Sequence, residues 1–266
     1  MEESRGILSM KNKFKLSAVF YGICFVFIIL PLCSFFTRDF FSGGINTKIL
    51  FDAIKTSAFC SIISILIVFA FGLPCAYYMS KGSFPGKEYI DMLFNIPMVL
   101  PPAVMGLVLL LTFGKKGFIG KYLYEMGIRV TFSKVAVIIA LVFVSLPVFI
   151  SGAAESFRKV PKELVNSAMT LGDSPRRAFF RVSFPLSKSG VYTALIMAWA
   201  RGLAEFGATM MFAGNIKGVT QTLPLAIYSA METNLETAML MSFIMVVLAT
   251  VILFGVHFLE SRLTLK

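Results

Sequence analysis

The sequence predicts an all-α integral membrane protein of about six transmembrane helices. Two observations carry this: hydrophobic residues make up 57% of the 266 positions with a mean hydropathy of +0.82, and only 15% of residues are charged. A third is the spacing of those charges, which leaves uncharged runs at 16–37, 56–80, 92–114, 135–154 and 237–259, each 20 to 25 residues long. A helix needs about 20 residues to cross a bilayer core. Lipid leaves an open backbone unsatisfied, and the chain lacks the short alternating segments of a barrel, so helices are expected.

A further stretch, 189–216, is interrupted only by Arg201 and Glu205 and is read as the fifth of the six spans. Pro31, Pro74, Pro97, Pro101, Pro102 and Pro147 lie in or near the spans and predict kinks. The first span is followed by CSFFTRDFF, which lacks a small-x-small cleavage pattern, so it is expected to stay as an anchor. Cys24, Cys33, Cys60 and Cys75 all fall within spans with no CxxC pairing, and are expected to be buried free thiols; no metal site is expected.

Orientation follows from the basic residues. With the N-terminus inside, the inner segments carry 15 of the 25 Lys and Arg and the outer ones 9, the remaining one being Arg201 within a span. The bias predicts both termini in the cytoplasm, against the five basic residues of the outer loop 115–134. The net charge of +11 is scattered over loops, which suits anionic headgroups and not nucleic acid. There is no GxxxxGK[ST] loop, and with His257 as the single histidine no Ser-His-Asp or HExxH site can form. No covalent catalysis and no cofactor are expected in this chain; any ATP must be bound by another subunit.

The longest inner segment, 155–188, carries seven basic residues. In VPKELVNSAMTLG, Pro161 suits a first helical position, Leu164, Ala168 and Leu171 recur at i, i+4 and i+7, and Gly172 suits a left-handed end. Ser174 then caps a second short helix opened by Pro175, running through Arg176, Arg177 and Phe180 until Pro185 stops it. Two short helices make a knob that fits either a groove on a cytoplasmic partner or the headgroup layer.

The spacing of Ala168, Gly172, Val182, Phe184 and Pro185 resembles the EAA loop of ABC importer permeases of the MetI-like type I fold. Asn166 and Ser167 stand where that loop usually has Glu and Ala, while Val182 and Phe184 replace Ile and Leu; Glu163 lies one turn earlier. The segments MVLPPAVMGLVLLL, FGKKGFIGKYLYEMGI, ARGLAEFGATMMFAGN and TQTLPLAIY further resemble molybdate/tungstate permease subunits, so that the likeness runs from about residue 55 to the C-terminus. The resemblance implies one permease domain over 1–266 that forms a two-fold homodimer in a bacterial inner membrane. It implies an ABC ATPase subunit docked on the loop through Glu163, Asn166, Ala168, Gly172, Arg176, Arg177 and Pro185. An extracytoplasmic molybdate-binding protein would deliver the anion to the outer face, at Asn215, Gly218, Thr220 and Gln221.

Arg201 and Glu205, four apart, are expected to share one face of the fifth helix with Ala194, Ala198 and Ala208. An Arg in a span costs about 2.5 to 3.5 kcal/mol on insertion scales, so it should face the bundle and pair with Glu205. Two readings are open: a structural ion pair, or a transient anion contact or gate with Thr209 as a neutral lining residue. Sulfate or thiosulfate is the alternative cargo, and a proton relay through Glu205 or His257 is the alternative mechanism.

Overall fold

In the computed structural model the described residues are 2–37, 47–82 and 85–264, with side chains described for 19–37, 47–82, 85–255 and 258; among them there is no strand. The chain divides into two compact units, Met1–Gly43 and Gly44–Lys266. In the first, α1 (Glu2–Phe36) contains an apolar window, Val19–Phe36, long enough to cross a bilayer. Tyr21, Phe25 and Phe27 stand exposed within this unit.

The second unit opens with α2 (Thr47–Lys81), whose long uncharged run makes a second crossing helix. Next come α3 (Lys87–Val99) and α4 (Pro102–Phe113), bent by 112° at Leu100 and Pro101. Two consecutive prolines explain the bend. The residue before a proline is driven out of the helical region, and Leu100 and Pro101 both sit at extended ψ, 137° and 139°. Pro102 then opens α4 at a position where no N–H is needed. The third expected span is therefore split into two helices, not the kinked continuous helix that the proline count suggests.

A short α5 (Gly120–Glu125) lies in the connection to α6 (Lys134–Arg158), a third crossing helix capped by the Ser133 hydroxyl, which accepts from Ala136 N–H. In that connection Lys115 and Arg129 both lie against Tyr124, with Lys115 4.5 Å from the ring centroid. Hydrogen bonding and charge from Lys115, seconded by Arg129, hold the Tyr124 phenol below its ordinary range. Two of the five basic residues of 115–134 are thus gathered on one aromatic ring.

Three short elements follow: α7 (Lys162–Thr170), α8 (Pro175–Ala178) and a π-helical turn, Phe179–Ser183. The π turn runs directly into α9 (Phe184–Leu203), then come α10 (Gly207–Phe212), α11 (Leu223–Thr233) and α12 (Leu235–Thr264), whose Leu235–Gly255 portion is the fourth crossing helix.

The fifth expected span, 189–216, is not one helix. It is split into α9 and α10 at Ala204, Glu205 and Phe206, and neither piece is long and apolar enough to count as a crossing helix alone. The described residues thus hold four continuous crossing helices, or five with α3–α4 taken as one broken span. The helix α11 is internal: its Leu223, Leu225, Ala226 and Ala230 are buried, and it packs against α2 and α12.

The core is a seam of small residues. α6 packs on α2 on one side and on α9 on the other. A Cβ on Gly152 would fall 2.7 Å from that of Ala194, one on Gly202 2.6 Å from Ser145 Oγ, and one on Gly72 2.6 Å from Phe149 Cδ1. Small residues let backbones approach where lipid provides no hydrophobic drive between helices. Ser64 Oγ donates to the Cys60 carbonyl at 2.6 Å and lies 3.2 Å from that of Ile138, tying α2 to α6. Of the four cysteines expected to be buried, only Cys60 is; Cys75 is half-buried, and Cys24 and Cys33 are exposed on α1. The connection at 38–46 and the side chain of His257 lie outside the described residues.

Candidate coupling knob and broken-helix gate

The knob is built much as its capping residues dictate. Pro161 sits one position ahead of the helix, taking the capping place with ψ 128° instead of the first helical one. At the other end Gly172 adopts φ +98°, its N–H donates to the Met169 carbonyl, and Asp173 N–H donates to that of Ala168. This pair of bonds closes a helix through a left-handed residue, which glycine takes without strain. Ser174 Oγ accepts from Arg177 N–H at 3.4 Å, as its capping role requires.

Pro185 does not stop the second helix. The chain passes from α8 through the π turn into α9 without a break, with Phe184 N–H donating to the Phe179 carbonyl five residues back. The wide turn makes room for the proline ring, which in a regular helix would clash with the carbonyl four residues earlier. Phe179 stacks edge-on against Tyr77 of α2 at 4.5 Å, and the Tyr77 hydroxyl lies 3.4 Å from Ser183 Oγ. The π turn is thereby fixed to the C-terminal end of α2.

α7 buries none of its residues. Leu164 and Met169 are exposed and Leu171 is 89% exposed, while Glu163, Asn166, Arg176 and Arg177 are exposed beside them and Ala168 is half-buried. Arg181 pairs with Asp173 at 3.0 Å. Of the apolar row that marked this segment as amphipathic, Leu164 and Leu171 thus stand exposed and Ala168 is half-buried.

The second site lies where the two broken elements meet. Gly207, at the start of α10, has no room for a side chain, since a Cβ there would lie 2.5 Å from that of Pro102. One turn on, a Cβ at Gly106 would lie 2.6 Å from that of Met211 and 3.0 Å from the Ala208 backbone. The break at Pro101 is thus packed against the break at Glu205. Irregular backbone at membrane depth persists only where protein or a water-filled cavity covers it, and discontinuous helices are a recurrent feature of transport sites.

Glu205 makes the second break. It lies beyond the end of α9, so Arg201, Glu205 and Ala208 do not share one continuous helical face as the four-residue spacing suggests. Its carboxylate, 1% exposed, accepts from Arg201 Nη1 at 3.0 Å and from Ala208 N–H at 2.9 Å. One side chain thus neutralises an intramembrane cation and caps α10. Arg201 is 39% exposed, so its guanidinium still reaches open surface. Thr209 is fully buried, and its hydroxyl donates to the Phe206 carbonyl at 2.8 Å, so it holds the first turn of α10 and lines no open surface of this chain.

In the loop after α10, Thr220 and Gln221 are buried and act inward. Thr220 Oγ1 accepts from Ile216 N–H and donates to the Gly214 carbonyl; Gln221 Nε2 donates to Asn215 Oδ1 at 2.9 Å. Asn215 Nδ2 in turn donates to Ser229 Oγ at 2.6 Å. These bonds shape a loop whose tip, Ile216, Lys217, Gly218 and Val219, is exposed, with Gly214 and Gly218 each at φ +73°. Of the four outer residues singled out from sequence, Gly218 is on the exposed tip and the others set its shape. Sequence reasoning missed the pairing of Gly207 with Pro102; the twin prolines and the Phe-Gly-Ala stretch are its signal.

A family model described as "Binding-protein-dependent transport system inner membrane component" matches residues 69–265. The probable transport system permease protein NifC of Clostridium pasteurianum is 38% identical over 240 residues, covering 87% of this chain and 82% of that protein. The molybdenum transport system permease protein ModB of Escherichia coli K12 is 36% identical over 183 residues, 68% of this chain and 80% of its own. A probable sulfate transport system permease protein, cysT of Chlorokybus atmophyticus, is 29% identical over 245 residues, 89% of this chain and 85% of that one.

Among solved structures, a chain of a bacterial alginate ABC transporter in complex with an alginate pentasaccharide-bound periplasmic protein superposes with TM-score 0.73 at 15% identity, covering 96% of this chain and 97% of that one. A chain of the MetNI methionine ABC transporter, in an inward-facing conformation, gives TM-score 0.63 at 15% identity, over 81% and 96%. These two establish the fold. With the family match spanning most of the length and relatives at 36–38% identity, the chain belongs to the binding-protein-dependent transport system inner membrane components, multi-pass permease subunits of the inner membrane.

Proposed function

We propose that this chain is the permease subunit of an ATP-driven importer for molybdate or tungstate, working as a two-fold homodimer with both termini in the cytoplasm and its two compact units acting as one permease domain. The ATPase subunit docks on the knob of α7 and α8, and the outer loop around Gly218 receives an extracytoplasmic molybdate-binding protein. The observation that carries the coupling role is the exposure of Leu164 and Leu171, which share one face along and just past α7, an element with no buried residue. Such a face left in water is a partner surface.

ATP-driven movement of the partner pulls on α7, and the stacked Phe179 and Tyr77 pass that movement through the π turn to α9. The far end of α9 is the break at Glu205, packed against the break at Pro101. A tilt of α9 opens or closes this contact, and Arg201 offers a transient positive surface to the passing oxyanion. Its charge is largely balanced by Glu205, so the anion is released and not trapped. Molybdate is favoured over sulfate by similarity to molybdenum permeases at 36–38% identity against 29% for the sulfate relative.

Uptake of labelled molybdate by cells carrying the chain, its ATPase and its binding protein tests this reading. ATP depletion abolishes uptake and a tenfold excess of sulfate leaves it near its unchallenged rate, in the manner of a selective importer. Uptake that survives ATP depletion but collapses with a protonophore sinks the proposal.

A further inference from the structure

Between the C-terminal end of α2 and the knob lies an open groove of about 480 Å³. Its walls are Leu73, Pro74, Tyr78 and Phe180, and its floor is the stacked Tyr77 and Phe179. At its rim stand two cations, Lys81 and Arg176, and no carboxylate lines it. Neither cation has an acidic partner among the described residues. The Lys81 ammonium is held 4.1 Å from the Tyr77 ring centroid.

Depth identifies the occupant. Lys81 is the last residue of α2 and directly follows its uncharged run 56–80, where a spanning helix meets the headgroups, and Pro74 lies seven residues earlier, about 10 Å back along the helix at 1.5 Å per residue. An apolar channel that starts under two cations and runs inward from that level has the shape and charge of an anionic phospholipid, a phosphate above an acyl chain. A second copy of this chain would bring another pair of cations to the same rim, and like charges repel.

We infer that this groove binds one anionic phospholipid, its phosphate between Lys81 and Arg176 and an acyl chain along Tyr78 and Phe180. Because the floor is the Tyr77–Phe179 contact, the lipid braces the joint that links α2 to the π turn.

Native mass spectrometry of the full-length chain, with and without its ATPase, tests this with phosphatidylglycerol and phosphatidylcholine of identical acyl chains. Phosphatidylglycerol is retained about thirtyfold better, from roughly 1 kcal/mol for each of the two basic residues near the headgroup, and K81Q/R176Q removes the preference. The control pair K116Q/K121Q keeps it, and F180A weakens both lipids alike. No preference in the wild type, or one that survives in K81Q/R176Q, overturns the inference. So does displacement of the lipid by inorganic phosphate, which would make this a small-anion site, or by the ATPase, which would make it part of the docking surface.

Discussion

Replacing Glu205 with alanine tests how the second break is held. Two contacts disappear: the cap on Ala208 N–H at 2.9 Å and the charged bond to Arg201 at 3.0 Å. Loss of a helix cap costs about 1 kcal/mol, and loss of a hydrogen bond to a charged group about 1.5 to 3. A fully buried broken ion pair costs about 3 to 5 kcal/mol, but Arg201 is 39% exposed, so the figure belongs near the lower end, at about 3 kcal/mol. Glu205→Gln keeps an acceptor for Ala208 and loses only the charge, so about half of that is expected. Equilibrium unfolding of the purified protein in mixed micelles measures both, and a double-mutant cycle with Arg201→Met isolates the pair. The reasoning is refuted if Glu205→Ala unfolds within about 0.5 kcal/mol of the wild type, or if its loss is unchanged in the Arg201→Met background.

Three further predictions follow from the geometry. Gly172→Pro removes the N–H that bonds Met169 and forbids φ +98°, so it should uncouple transport from ATP hydrolysis while the protein still reaches the membrane; normal uptake would remove the knob from the mechanism. Leu171→Asp changes a side chain that touches little in this chain, so its unfolding should shift by less than about 0.5 kcal/mol. Its association with the ATPase, measured by co-purification or titration, should weaken by about 2 kcal/mol or more. Gly207→Val drives a side chain into Pro102 and should destabilise the protein by about 1 to 3 kcal/mol, with uptake lost even where the ATPase still binds.

Much of this fold is visible in the charge spacing, because hydrocarbon imposes a length and a polarity on whatever crosses it. The helices that cross unbroken, such as α6, coincide closely with uncharged runs. The two broken elements do not. Hydropathy cannot register Pro101 and Pro102 as a 112° bend, because a proline inside a helix, like Pro147 of α6, leaves the same composition. The end of α9 was hidden because Arg201 and Glu205 have helical spacing; their ion pair does form, but across a helix end, since the carboxylate also takes Ala208 N–H.

The knob was more legible. Gly172 and Ser174 act locally, through their own backbone and hydroxyl, so their signals survive without knowledge of the fold. Pro185 misled for the opposite reason. Whether a proline ends a helix depends on room at the preceding turn, and here a π turn held by Tyr77 of α2, distant in sequence, provides it.

The most direct test of the account is ATP-driven molybdate entry into proteoliposomes containing this chain and its ATPase, with binding protein outside and nucleotide inside, compared between wild type and Leu171→Asp. The account predicts rapid entry with ATP, none with a non-hydrolysable analogue, and loss of entry in the variant although its fold is intact. Entry without hydrolysis, or wild-type entry in Leu171→Asp, would contradict it.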